Sequence, residues 1–109
     1  MAIRIDAGAT VFTLINVFSV QENFQSAIVA ELTRFTEEHA SHLPGFVGAA
    51  VHASIDRKRV LNYVQWRNAA ALDDMLETAA AREHLRAVAA MAERIDPVPY
   101  AVAFVRGDA

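Results

Sequence analysis

The chain contains no cysteine. Disulfide frameworks, thiolate metal centres and cysteine nucleophiles are therefore excluded together. Glycine and proline are scarce, four and three in 109 residues, and no glycine-rich phosphate loop or dinucleotide fingerprint can be assembled from them. Ten basic residues stand against thirteen acidic ones, for a net charge of −3. They are scattered, so the positive stripe that nucleic acid or an anionic membrane requires is missing. No apolar run approaches the roughly 20 residues of a membrane span, and Met1-Ala2-Ile3-Arg4-Ile5-Asp6 shows no apolar leader segment or cleavage site. These absences predict a cytoplasmic protein with no nucleic-acid or membrane partner.

Catalytic groups are few as well. Ser19, Ser26, Ser41 and Ser54 lack the strand-turn-helix elbow of a serine hydrolase. Glu37-Glu38 and Asp73-Asp74 fall in helical stretches and read as surface charge. His39 and His42 are spaced to share one side of a helix end, but no third ligand lies nearby, so no metal is expected.

Apolar residues are what the chain has in plenty, at 54%. Residues 1–109 are expected to form one domain. A single core of that size does not absorb so much apolar surface, which points to an oligomer interface, a ligand cavity or both.

The periodicity changes along the chain. Val11 to Val20 is rich in Val, Ile and Phe, as a buried strand is. Phe24, Ile28, Leu32 and Phe35 then recur at helical spacing within a helix expected over about 22–41, closed by Pro44-Gly45. Phe46 to Ile55 and Arg59 to Arg67 flank Asp56-Arg57-Lys58, which predicts a hairpin with a three-residue loop. Asn68 is placed to cap a helix running to about Arg94, with a break near Thr78 to Ala81, and Tyr100 to Arg106 reads as a last strand. The order βαββαβ predicts an α+β, ferredoxin-like fold with an antiparallel sheet and its helices on one face.

Strand alternation places Val60, Asn62, Val64 and Trp66 on one face, and a three-residue loop sets His52 opposite Asn62 and Gly48 opposite Trp66. In that register His52 and Asn62 converge, and Gly48 leaves room beside the indole. On the first strand Asn16 is a polar residue among Phe12, Leu14 and Phe18. A buried amide there needs a partner or a cavity.

The segments Leu43-Pro44-Gly45-Phe46-Val47-Gly48, Val51-His52-Ala53-Ser54-Ile55-Asp56 and Asn62-Tyr63-Val64-Gln65-Trp66 resemble the antibiotic-biosynthesis monooxygenase family. The resemblance implies a dimeric α+β barrel. It also implies oxidation of an electron-rich, anthrone- or phenol-like aromatic by dioxygen to a quinone, without metal, flavin or nicotinamide. The family's functional residues match His52, Asn62, Trp66 and Arg86, and a tyrosine of the polyketide-tailoring branch is replaced here by Leu72. The pocket implied around them takes in Asn16, Leu14, Phe18, Gly48, Val64 and Leu72. Asn62 and Trp66 would donate to a substrate oxygen, while His52 or Arg86 would assist proton transfer or clamp an anion.

Two other readings use the same scaffold. One is a non-catalytic dimeric module that binds a small molecule. The other is a haem-degrading branch of the superfamily: Asn16 matches that branch's first-strand asparagine, but its haem-distorting tryptophan falls near Met75 and its axial histidine has no clean match, His84 lying close.

Overall fold

A computed structural model of the chain describes residues 11–107. The leader reading at Met1 to Asp6 and the two ends of the expected 1–109 domain lie outside the described residues. The elements run β1 (Phe12–Val20), α1 (Gln25–Glu38), β2 (Phe46–Ala53), β3 (Arg59–Trp66), α2 (Ala69–Leu76), α3 (Ala79–Met91) and β4 (Ala92–Tyr100). Short 3-10 turns occupy Glu22–Phe24 and Ala40–His42. The strands form one antiparallel sheet in the order β2-β3-β1-β4. This is the ferredoxin-like arrangement, with the second helical stretch divided in two. Among the described residues no helix is long and apolar enough to cross a membrane.

Alternation along β1 and β3 decides which side chains meet the helices. Phe12, Leu14, Asn16 and Phe18 pair with Trp66, Val64, Asn62 and Val60 respectively, so all eight share one face. Gln25, Ile28, Leu32 and Phe35 of α1 are buried at spacings of three and four. Each apolar member adds about 1.5–3 kcal/mol by leaving water. Gln25 is satisfied: its Nε2 donates to the Ser54 and Arg59 carbonyls at 3.0 and 2.9 Å, tying α1 to the hairpin loop. The helical break falls at Thr78, whose hydroxyl accepts from the Ala81 N–H at 3.1 Å and so starts α3. Asn68 starts α2 in the same way, accepting from Ala71 at 2.9 Å.

The hairpin departs from the expected register. Ser54 N–H donates to the Arg59 carbonyl, so the loop holds four residues, Ile55 to Lys58, rather than three. Asp56 carboxylate accepts from Ser54 hydroxyl and Lys58 N–H, Arg57 takes a positive φ of 66°, and Ile55 is left in solvent. One extra loop residue shifts every pair by one. Val51, not His52, faces Asn62; His52 faces Leu61. The same shift sets Gly48 opposite Gln65, and a bulge at Val47 then brings Phe46 opposite Trp66.

The C-terminal boundary also moves. α3 ends at Met91 and β4 begins at once, so Asp96-Pro97 lies inside the strand and Tyr100 is its last residue. The strand expected at 100–106 is irregular beyond Tyr100. Prolines fit because β4 is an edge: Pro97 and Pro99, two apart, present the same side of the strand, and neither needs an N–H directed at solvent.

Candidate functional site

The core between helices and sheet consists of two clusters. One gathers Phe18, Val20, Ile28, Leu32, Val60 and Val88; the other gathers Phe35, Ala40, Val64, Trp66, Leu72 and Ala81. Where they should meet lies a cavity of about 250 Å³. Its floor is the helix-facing side of the sheet, at Leu14, Asn16, Phe18, Asn62, Val64, Trp66, Ile95 and Pro97. Its roof comes from Leu32, Phe35 and Thr36 of α1, Ala40, Leu72, Met75 and Leu76 of α2, and Ala81, His84, Leu85 and Val88 of α3. Leu76 and Leu85 are 39% and 44% exposed, and Pro97 is exposed, which marks a mouth beside β4 with an apolar rim.

Polar groups in the cavity are few and well defined. Asn62 Oδ1 and Trp66 Nε1 are buried with no hydrogen-bond partner among the described residues. Such orphans cost about 1–3 kcal/mol each. Trp66 is fully buried and braced by Phe46, whose ring meets it edge-on at 5.6 Å. Its indole N–H is thus held rigidly and left available. Asn16 and Asn62 face one another across the central strand pair, so two amides sit side by side in the floor.

The third polar feature is a half-buried histidine–carboxylate hydrogen bond in the roof. His84 Nδ1 lies 2.6 Å from Glu31 Oε2, and the imidazole stacks on Phe35 with centroids 4.0 Å apart. Arg34 grips the same carboxylate at 3.0 and 2.8 Å. That guanidinium, opposed by burial and helped by His84, holds the Glu31 carboxyl down to about 2. Burial pushes the His84 imidazole below its usual range, and Glu31 offsets part of this. Glu31 is therefore ionised and can only accept, so neutral His84 carries its proton on Nδ1 and presents a lone pair at Nε2.

Of the residues expected at the site, Asn62, Trp66, Asn16, Leu14, Phe18, Val64 and Leu72 line this cavity. His52, Gly48 and Arg86 do not. His52 is exposed on the opposite sheet face because of the four-residue loop, and Gly48, in the same register two pairs further along, shares that face. Arg86 is exposed on α3, two residues from His84 and on the far side of a helix that buries Ala81, His84 and Val88. Glu31 and the inward role of His84 were not anticipated. The signal lies in helix spacing: Glu31 is four before Phe35, and His84 is four before Val88, so each stands at the edge of a buried stripe. His39 and His42 diverge instead, bonding Thr78 hydroxyl and Glu37 carbonyl at 3.1 and 3.0 Å. Among the described residues no three His, Asp or Glu side chains gather as a metal site.

Known proteins resemble this chain in sequence or in fold. Tetracenomycin-F1 monooxygenase of Streptomyces glaucescens is 46% identical over 59 residues, an alignment covering 54% of this chain and 53% of that enzyme. The match thus spans about half the length of this curated relative. SnoaB, a cofactor-independent oxygenase from Streptomyces nogalater, superposes with a TM-score of 0.75 at 17% identity, over 92% of this chain and 100% of SnoaB. Rv0793 from Mycobacterium tuberculosis gives 0.74 at 17% identity, over 84% and 94%. At such identities the two structures speak for the fold. The antibiotic biosynthesis monooxygenase family matches residues 11–90, and the chain belongs to that family.

Proposed function

We propose that the protein is a monooxygenase that oxidises an electron-rich aromatic, anthrone- or phenol-like, to a quinone with dioxygen as oxidant. The observation that carries this reading is the pair of unpartnered polar atoms, Asn62 Oδ1 and Trp66 Nε1, in an otherwise apolar cavity. A substrate hydroxyl would donate to Asn62 and a substrate carbonyl would accept from Trp66, which relieves both orphans at once. A peri-hydroxylated anthrone offers both groups. The cavity lies just below the ~300–1,000 Å³ usual for ligands of drug size, so a polycycle would seat its reacting ring inside and extend its remainder through the Leu76–Leu85–Pro97 mouth.

Dioxygen is a triplet and reacts slowly with closed-shell molecules, but a carbanion or phenolate transfers an electron to it readily. The radical pair then joins to a hydroperoxide, which loses water. In balance, the ring methylene and one dioxygen become a ring carbonyl and one water. The chain's own part is to exclude water, stabilise the anionic oxygen with the Trp66 N–H, and fix the ring plane. Catalytic roles go to Asn62 and Trp66, with Asn16 beside them; His52 and Arg86 are not given a place at the reacting atoms.

The sheet face away from the helices carries Ile15, Val17, Leu61 and Tyr63 on the central strands, with Val98 42% exposed on the edge. We propose that two copies pair through it as an isologous homodimer in the cytoplasm, closing an α+β barrel. Oxygen uptake by the purified chain with a dihydroxyanthrone tests the reading. Uptake above the spontaneous rate that falls in Asn62→Ala supports it; tight binding without uptake would make the chain a binding module.

A further inference from the structure

We propose that His84 is the proton acceptor of this reaction, its Nε2 drawing the acidic proton from the substrate while Glu31 acts as the positioning residue behind it. The inference rests on the proposed oxygenation at the same cavity. It answers a need which that reading leaves open: neither Asn62 nor Trp66 can take a proton, yet an anion must form before dioxygen reacts.

Among the described residues, His84 is the one cavity-lining side chain with a basic lone pair at neutral pH. Its Nδ1 is committed to Glu31 at 2.6 Å, and among the described residues Nε2 has no hydrogen-bond partner. Phe35 fixes the ring plane by stacking at 4.0 Å. A carboxylate that holds one imidazole nitrogen and so directs the other is the device by which a histidine base is oriented and its cation stabilised. Arg34, bound to both Glu31 oxygens, keeps that carboxylate ionised and turned toward the ring. Among the described residues, Glu31 and Arg34 on α1 act on His84, Glu83 on α3 adds its charge at Arg34, and His39 shares the Phe35 ring at 5.3 Å. The sheet beneath contributes only amides, an indole and apolar side chains.

The step balances as follows. The bond from substrate to its acidic hydrogen breaks and Nε2–H forms, leaving the electron pair on the substrate anion. One electron passes to dioxygen, and the radical pair closes a C–O bond. The imidazolium then returns its proton to the terminal peroxide oxygen, and loss of water leaves the carbonyl.

The test is steady-state oxygen consumption by the full chain with a dihydroxyanthrone, from acidic to alkaline pH, for wild type, His84→Gln and Glu31→Gln. The inference predicts a wild-type acidic limb below the ordinary histidine range. It predicts a kcat lower by about 10²–10⁴-fold in His84→Gln, with that limb gone and KM little changed. Glu31→Gln should keep the limb but move it to lower pH, because the lost charge no longer favours imidazolium. An aromatic already ionised at assay pH should restore turnover in both variants, which separates a missing base from a missing fold. Wild-type turnover with a His84→Gln profile of the same rate and limb overturns the inference alone. Failure of the ionised substrate to restore a variant whose circular dichroism and melting temperature match wild type also overturns it. Absence of wild-type turnover overturns the oxygenase reading and the inference with it.

Discussion

Replacing Trp66 by phenylalanine removes the indole N–H, together with part of the fused ring, from the cavity wall. The indole is fully buried and its Nε1 is unpartnered, so the folded protein carries a desolvated donor worth about 1–3 kcal/mol of strain against stability. Phenylalanine removes that penalty but leaves a small void and loosens the edge contact with Phe46, a loss on the order of 1–2 kcal/mol. The two nearly cancel, and the melting temperature should move by only a few degrees. Turnover should not be spared. A hydrogen bond to a charged oxygen is worth about 1.5–3 kcal/mol, which at ~1.4 kcal/mol per decade lowers kcat/KM by about 10- to 150-fold. Oxygen-electrode kinetics beside thermal denaturation read both numbers on one preparation. A variant that gains stability and keeps full kcat/KM would refute the argument, because the N–H would then be an idle structural defect.

Glu31 makes stability depend on pH with a definite sign. Its carboxyl is lowered from 4.5 to about 2 by Arg34 first, so the unfolded chain binds more protons between these values and stability falls as pH drops through them. Acid denaturation of wild type against Glu31→Gln should show this loss, on the order of 2 kcal/mol after solvent screening of the exposed Arg34, in wild type only. Gly45 takes a φ of +88°, and a Cβ built there lies 2.5 Å from the Ala71 Cβ at the start of α2. Gly45→Ala should therefore cost about 1–3 kcal/mol in urea melts, and a neutral result would contradict the close approach. Leu61→Asp on the open face should give a folded monomer in sedimentation velocity, where wild type at micromolar concentration sediments as a dimer; a monomeric wild type would contradict the pairing.

The sheet and most of the cavity floor were legible in the sequence because a strand's two-residue period is insensitive to where the strand ends. Asn62, Val64 and Trp66 share a face whichever loop precedes them, and the β1–β3 register adds Asn16 to it. Cross-strand partners depend on a single residue count, and the hairpin holds one loop residue more than its composition suggests. Ile55 reads as strand by composition, but the Ser54–Asp56–Lys58 hydrogen bonds draw it into the turn, which carried His52 to the other face. Asn68 is readable as a helix start and Thr78 to Ala81 as a break because capping is local; the structure makes Thr78 the cap of α3. Pro97 misled for the opposite reason: it stops a helix or a central strand, but an edge strand tolerates it, and edge position is a tertiary fact. The Glu31–His84 pair spans 53 residues and joins two helices, so only the packing of α1 against α3 could bring it to view.

Trp66 is the only tryptophan in the chain, and its emission reports the cavity without a label. The most direct test is an anaerobic titration with a dihydroxyanthrone, following that emission, and then admission of oxygen. The account predicts saturable quenching at one ligand per chain, followed after oxygen by one quinone formed for each dioxygen consumed. Unchanged Trp66 emission through saturating substrate, or quenching with no quinone after oxygen is admitted, would contradict it.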